Sequence, residues 1–188
     1  MSELLAFVRL GFGHITDPGA LDHILFLLAL AAIYHGREWR ASVWVVSAFT
    51  VGHSITLALA VTGAVILPTP LIEFLIPITI VATAVENLLV RDRAPVARRY
   101  RPMFAGVFGL VHGAGFANYL RELFTGSIAL PLFGFNLGIE LGQLTILGGA
   151  AVALALVDRG LGRRRRVIAV SAAVLLLAAR MAVERAPW

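Results

Sequence analysis

Histidines inside apolar segments are the residues of this chain that could do chemistry. Of its five histidines, His14, His23, His53 and His112 lie in or beside apolar stretches long enough to cross a membrane. Ionisable side chains are costly in hydrocarbon, so within a membrane span they usually face the bundle interior and mark a functional site. Since imidazole is a common ligand of divalent transition metals, the pattern predicts a metal site inside a membrane protein.

Carboxylates and amides accompany these histidines at helical spacing. Asn136, Glu140 and Gln143 stand at i, i+4 and i+7 and so share one helix face. Counting a rise of ~1.5 Å per residue from the predicted cytoplasmic helix ends places three of the histidines and Glu140 at comparable depths. The metal ligands predicted at this depth are His23, His53, His112 and Glu140, with His14 and Asp22 as further candidate ligands. The predicted supporting residues are Thr50, Glu86, Asn87, Asn136 and Gln143.

Three of these assignments have an alternative from the residues themselves. Asp22 is one residue from His23 and points about 100° away from it on a helix. It therefore either binds the metal or orients another ligand. Glu86 either supports the site or pairs with a loop arginine such as Arg91. A single intramembrane histidine can also hydrogen-bond a neighbouring helix without binding metal. Glu73 is interpreted as structural, and His35 as interfacial.

The composition indicates that the bilayer is the solvent of this chain. Hydrophobic residues make up 59% of its 188 positions, only 14% are charged, and the mean hydropathy is +0.87, which is too apolar for a soluble domain. The absence of cysteine excludes disulfides, thiolate metal sites and cysteine nucleophiles. A metal must therefore be held by nitrogen and oxygen atoms.

The elements that must position these residues are membrane helices, each needing ~20 apolar residues to cross. We predict an all-α fold, a polytopic membrane helix bundle of six transmembrane spans with a broken or interfacial N-terminal segment. That segment comprises a short helix over 3–10 and an interruption over 11–19. One domain covers 1–188, because no linker divides the chain. The spans are predicted at 21–35, 41–67, 70–90, 103–124, 128–157 and 167–183.

Arginines predict the orientation, because short cytoplasmic loops carry the excess of basic residues. Arginine-containing stretches at 37–40, 91–101 and 159–166 follow the first, third and fifth spans, whereas the connections at 68–70 and 125–127 have no basic residue. Both termini are therefore predicted outside the cytoplasm. The net charge of +5 reflects this topology, so nucleic acid is not expected as a partner.

Five segments together carry a family resemblance. They are DHILFLL at 22–28, preceded by His14, then AFTVGHSITL at 48–57, EN at 86–87, FGLVHGAGFA at 108–117 and FNLGIELGQ at 135–143. In this order they resemble the HupE/UreJ family of bacterial membrane proteins, in particular its second branch.

The resemblance implies a multi-pass protein of the bacterial cytoplasmic (inner) membrane, linked with nickel or cobalt handling. Such proteins are described as permeases or secondary transporters that serve hydrogenase and urease maturation. His14, Asp22 and His23 match the metal motif of nickel/cobalt permeases, with a longer spacing after His14. His112 stands alone where the other branch of the family tends to offer two histidines.

The preferred hypothesis is a transporter for a divalent transition metal ion, with nickel or cobalt favoured and zinc or copper compatible with the same ligands. The alternative is an intramembrane zinc-type hydrolase, in which Glu86 or Asp22 is the general base. A third possibility is a structural or sensing subunit whose metal locks the bundle. The expected partners are the lipid bilayer and the metal ion, with a homo-oligomer or a metal-delivery protein left open.

Overall fold

The computed structural model describes residues 2–34, 38–89, 95–123 and 127–188, and every regular element in those ranges is a helix. His35 and the predicted span ends at 35, 90 and 124 lie outside the described residues. The helices are α1 (Glu3–Thr16), α2 (Leu21–Ile33), α3 (Trp39–Val61), α4 (Thr69–Leu89), α5 (Pro95–Gly115), α6 (Ala117–Leu123), α7 (Ala129–Leu161) and α8 (Arg163–Glu184).

Several helices have the length and composition of membrane spans. Among the described residues, α3, α4, α8 and the Ala129–Asp158 part of α7 are long and apolar enough to cross a bilayer, and α1 with α2 qualifies as a bent pair. That makes four spans, or five with the pair. The helix α5, whose first turns contain arginines, is not among them, so the count of six spans is not confirmed.

The N-terminal segment is a broken helix, as the sequence predicts, but its first part is longer than expected. Helix α1 continues to Thr16 instead of ending at residue 10, and α2 leaves it at an angle of 71°. Pro18 lacks the amide hydrogen needed to continue a helix. Asp17 closes the turn, because its side-chain Oδ1 accepts a hydrogen bond from the Gly19 amide at 2.8 Å.

Two helix pairs pack with their backbones in direct approach, and both pairs run parallel. In the first, Gly11 of α1 lies against the carbonyl of Phe135, and Gly138 of α7 lies against the carbonyl of Val8. In the second, Gly52 of α3 faces the carbonyl of Gly106 on α5. Small residues permit such contacts between membrane helices. They hold α1 on α7 and α5 on α3.

Helix α2 occupies the middle of the bundle. It contacts α4, α7 and α8, and nine of its thirteen residues are buried, as expected for a helix that is apolar on all sides. Around it lies the core, whose largest fully buried side chains include Phe26, Phe49, Phe135 and Leu57.

Two predicted spans differ from the observed helices. The predicted span 41–67 ends early, because α3 stops at Val61 and the following turn contains Gly63 with a φ of +75°, a conformation that favours glycine. The predicted span 103–124 is divided into α5 and α6 at Phe116. Apolar composition continues across both interruptions, so hydropathy alone did not reveal them.

The two ends of the bundle are identified by contacts between distant parts of the chain. At the Arg163 end, the Arg163 side chain donates a hydrogen bond of 2.9 Å to the carbonyl of Ile33. At the Glu73 end, near the start of α4, the ring of Phe74 lies 5.3 Å from the ring of Trp188. Since Leu4 packs against Gly134 in the first turns of α7, both termini lie at the Glu73 end.

Candidate metal centre

Three histidines from three helices meet inside the bundle. His14 lies in the last turn of α1, His23 in the first turn of α2 and His53 within α3. Each offers one ring nitrogen, and these three nitrogens lie within 4.8 Å of one another. In a tetrahedral centre the nitrogens are roughly 3.4 Å apart when each is ~2.1 Å from the metal. A small movement of the rings would therefore bring the three nitrogens to the spacing of three ligands in such a centre.

The break between α1 and α2 is what allows the first two histidines to meet. In a continuous helix a separation of nine residues corresponds to about 13.5 Å along the axis. Because the chain bends by 71° between them, the ring centroids of His14 and His23 lie only 4.8 Å apart. The predicted interruption thus forms part of the site.

His112 contributes a fourth ring at the edge of this group. It projects from α5, and its ring centroid lies 5.4 Å from that of His23. The next residue, Gly113, packs against the backbone of His53, so α5 approaches α3 at this level. The Nε2 atom of His112 forms a hydrogen bond of 2.9 Å with Thr79 Oγ1.

Several ring nitrogens in this cluster are buried without a hydrogen-bond partner among the described residues. A buried polar atom without a partner is costly and usually has a functional or structural reason. A bound cation would accept the lone pair of the unprotonated nitrogen of each ring. The nitrogens are His14 Nε2, His23 Nε2, both ring nitrogens of His53, and His112 Nδ1.

Asp22 contacts a histidine and an arginine. Its Oδ1 accepts hydrogen bonds from the backbone nitrogen of His23 at 2.9 Å and from the Nδ1 of the same residue at 3.1 Å. Its Oδ2 lies 3.4 Å from Arg185 Nη1. A carboxylate that holds one ring nitrogen of a histidine orients the other toward a metal. Asp22 thus holds Nδ1 of His23, and Nε2 of that ring is left without a protein partner among the described residues.

A cavity of about 310 Å³ leads to the histidines. His14, His23 and His112 line its inner part, while the exposed Glu73 and the partly exposed Arg185 line the part near the bundle surface. The site is therefore reachable from the Glu73 end.

On the opposite side the histidines rest on aromatic rings. Phe26 and Phe49 are almost fully buried and lie 4.8 Å apart between ring centroids. The Phe49 ring lies 5.1 Å from His112 and 6.1 Å from His53. Both phenylalanines are nearer the Arg163 end than the histidines of their own helices, so apolar side chains close the site in that direction.

The family model described as HupE / UreJ protein matches residues 1–185. The chain belongs to the HupE/UreJ family. This family is associated with nickel and cobalt transport. No curated protein and no solved structure matches the chain.

In this HupE/UreJ chain, Glu140 does not join the three-histidine group. Its Oε1 accepts a hydrogen bond of 2.5 Å from Ser47, and the neighbouring Gln143 accepts one of 2.9 Å from Thr50. Ser47 and Thr50 precede His53 by six and three residues, which corresponds to about 9 Å and 4.5 Å along α3. These residues form a separate polar layer between α3 and α7, on the Arg163 side of the histidines.

The remaining predicted supporting residues bond to other partners. Glu86 accepts a hydrogen bond from Arg101 Nε at 3.0 Å, which agrees with the alternative that it pairs with an arginine, although Arg91 itself lies outside the described residues. Asn87 donates to the Ala29 carbonyl at 2.7 Å, and Asn136 to the Leu132 carbonyl at 2.9 Å. Asn87 therefore links α4 to α2, whereas Asn136 bonds within its own helix α7.

Sequence reasoning missed three residues that line or support this site. Glu73 is interpreted from the sequence as structural, and neither Arg185 nor Thr79 is among the predicted site residues. The one available signal for Glu73 and Thr79 was their place on α4, where an acid and a threonine interrupt an apolar helix. Nothing in the sequence indicated that Arg185 would reach Asp22.

Proposed function

We propose that this HupE/UreJ protein transports a divalent transition metal ion, with nickel or cobalt favoured, across the bacterial cytoplasmic membrane. The observation that carries the proposal is the convergence of unpartnered nitrogens from His14, His23 and His53 at the inner part of a cavity. Imidazole binds nickel, copper and zinc as well, so the preference for nickel or cobalt rests on the family.

The surroundings of the histidines are those expected of a carrier held in one state. A carrier exposes its site to one side at a time, and here a cavity reaches the site from the Glu73 end while Phe26 and Phe49 close the other side. The polar layer formed by Ser47, Thr50, Glu140 and Gln143 lies at about the level of Phe49, on the Arg163 side of the histidines. In this proposal it offers polar groups to the ion on the side of the histidines that faces the cytoplasm.

The proposal includes six spans with both termini outside. The bent α1–α2 pair is the first span, and α5 with α6 is the fourth. Close packing of α5 along α3 through Gly106, Gly109 and Gly113 supports this part of the proposal. Discontinuous helices with ligands at the break are a recurring way to form ion sites in transporters.

The hydrolase alternative receives less support from the contacts. It requires a carboxylate beside the metal that is free to accept a proton. The two proposed general bases are occupied, since Glu86 pairs with Arg101 and Asp22 pairs with His23 and Arg185.

The test is metal binding and uptake by purified protein in proteoliposomes. We expect the wild type to bind nickel stoichiometrically and to accumulate it, and His53→Ala to lose both, because a buried ligand from the centre of the group is removed. His35→Ala is the control, since His35 is not assigned to the site. Full metal content and uptake in His53→Ala would refute the site, whereas tight metal retention without uptake would favour the hydrolase.

A further inference from the structure

Thr79 on α4 makes a contact that the metal site itself does not explain. The residue is buried, with 7% of its surface exposed. Its Oγ1 lies 2.7 Å from the backbone oxygen of Ile76, to which it donates, and 2.9 Å from the Nε2 atom of His112. The hydroxyl therefore contacts a carbonyl oxygen, which can only accept a hydrogen bond, and a ring nitrogen, which donates or accepts according to the tautomer of His112.

The proton count decides which nitrogen of His112 carries the hydrogen. A threonine hydroxyl has a single proton to donate and two lone pairs that accept. The carbonyl of Ile76 can only accept, so it takes that proton. The hydroxyl must then accept the second hydrogen bond, and the donor is His112 Nε2–H. In a neutral imidazole the other nitrogen, Nδ1, is then left with a free lone pair.

That second nitrogen belongs to a ring at the edge of the histidine cluster. His112 Nδ1 is buried and has no hydrogen-bond partner among the described residues, and the ring lies 5.4 Å from that of His23. The hydrogen bond made by one ring nitrogen determines which nitrogen is available to a metal.

We propose that Thr79 is a positioning residue that fixes the His112 tautomer and presents Nδ1 of that ring as the fourth nitrogen ligand of the metal. This inference rests on the proposed function, since it assumes that the histidines bind a cation. It also makes the four rings chemically unequal. His23, whose Nδ1 is held by Asp22, binds through Nε2, whereas His112 binds through Nδ1.

The first test reads the coordinating nitrogen in the wild-type protein. NMR of protein carrying nitrogen-labelled histidine, with cadmium bound as a spin-active probe, shows which ring nitrogen of each histidine is coupled to the metal. We expect coupling to Nδ1 of His112 and to Nε2 of His23. Coupling to Nε2 of His112, or to neither of its nitrogens, would overturn the inference, and this result does not depend on any variant folding.

The second test uses substitutions at Thr79 and a matched control on the same helix. Thr79→Val removes the acceptor and should lower nickel affinity by about 10- to 100-fold, as loss of a group that orients a metal-binding histidine does. Thr79→Ser keeps the hydroxyl and should restore affinity to within a few-fold of the wild type. Thr83→Val is the control, because Thr83 is also buried and donates to a backbone carbonyl, that of Thr79, at 2.9 Å.

The outcomes separate this inference from the proposed function. If the wild type binds neither nickel nor cadmium, the metal site itself is wrong. If the wild type binds nickel and Thr79→Val binds it equally well, only the role of Thr79 is refuted. An equal loss in Thr79→Val and Thr83→Val would also refute it, since the effect would then come from disturbing α4.

Discussion

At the residue scale, the site depends on which nitrogen of each imidazole is left free. Asp22 accepts from His23 Nδ1, and Thr79 contacts His112 Nε2, so in each of these rings one nitrogen is held by a neighbour and the other is buried without a partner. His53 has both nitrogens buried and unpartnered. If the histidines bind a metal as proposed, the groups that hold the other nitrogen of each ring help to set the geometry of the site.

Removing the carboxylate of Asp22 should weaken metal binding without abolishing it. Asp22→Ala frees the His23 ring to rotate and leaves Arg185 without its partner, so we expect nickel affinity to fall about 10- to 100-fold. Asp22→Asn keeps an oxygen that accepts from Nδ1 and should lose less. Titration calorimetry on the detergent-solubilised protein measures both. Complete loss of stoichiometric metal in Asp22→Asn would instead make Asp22 a direct ligand.

At the scale of elements, glycine contacts and one helix break set the distances between ligands. Helix α5 reaches α3 closely enough to bring His112 toward His23 because Gly109 and Gly113 lie directly on the α3 backbone. Helix α1 is held on α7 in the same way, which fixes the position of His14. The α1–α2 break then places His23 beside it.

A methyl group at Gly109 should therefore separate α3 from α5. Its Cβ would overlap the carbonyl oxygen of Phe49 and crowd the amide of His53, so we expect Gly109→Ala to destabilise the fold by about 1–3 kcal/mol, as overpacking does. The control is Gly148→Ala on α7, where a Cβ meets nothing within 4 Å. Thermal unfolding in detergent compares them. Equal melting temperatures for the two variants would contradict the close packing.

At the scale of the whole molecule, the two ends of the bundle differ in chemistry. The Glu73 end holds both termini and the mouth of the cavity, whereas the Arg163 end holds the basic turn at the start of α8. Because basic loops remain in the cytoplasm, this arrangement favours metal entry from outside. In the proposed transporter, the direction of transport would thus be a property of the bundle and not of the histidines.

Topology mapping should place the Glu73 end outside the cytoplasm. A C-terminal reporter that is active only in the cytoplasm should be silent. The chain contains no cysteine, so Glu73→Cys in intact cells should react with a membrane-impermeant thiol reagent, and Glu38→Cys, at the Arg163 end, should not. An active reporter together with the reverse labelling pattern would invert the orientation and with it the direction of transport.

The sequence by itself determined the class of the molecule and the residues to consider. Hydropathy and charge showed a helical membrane protein, and the ordered motifs indicated the HupE/UreJ family, which the family match over 1–185 confirms. These are local properties, readable one segment at a time. The same local signals predicted the interruption near Asp17–Gly19, because Pro18 has no amide hydrogen to continue the helix and turn-forming residues stand on both sides of it.

Only the tertiary structure decided which of those residues meet. Depth along a helix suggested that Glu140 joins the histidines, yet it hydrogen-bonds Ser47 in a separate layer. Depth says nothing about the direction in which a side chain points across the bundle. The bend that brings His14 to His23, the reach of Arg185 to Asp22 and the contact of Thr79 with His112 depend on packing between segments far apart in the chain. Distances of that kind are set by contacts between helices, so they cannot be calculated from the spacing of residues within one helix.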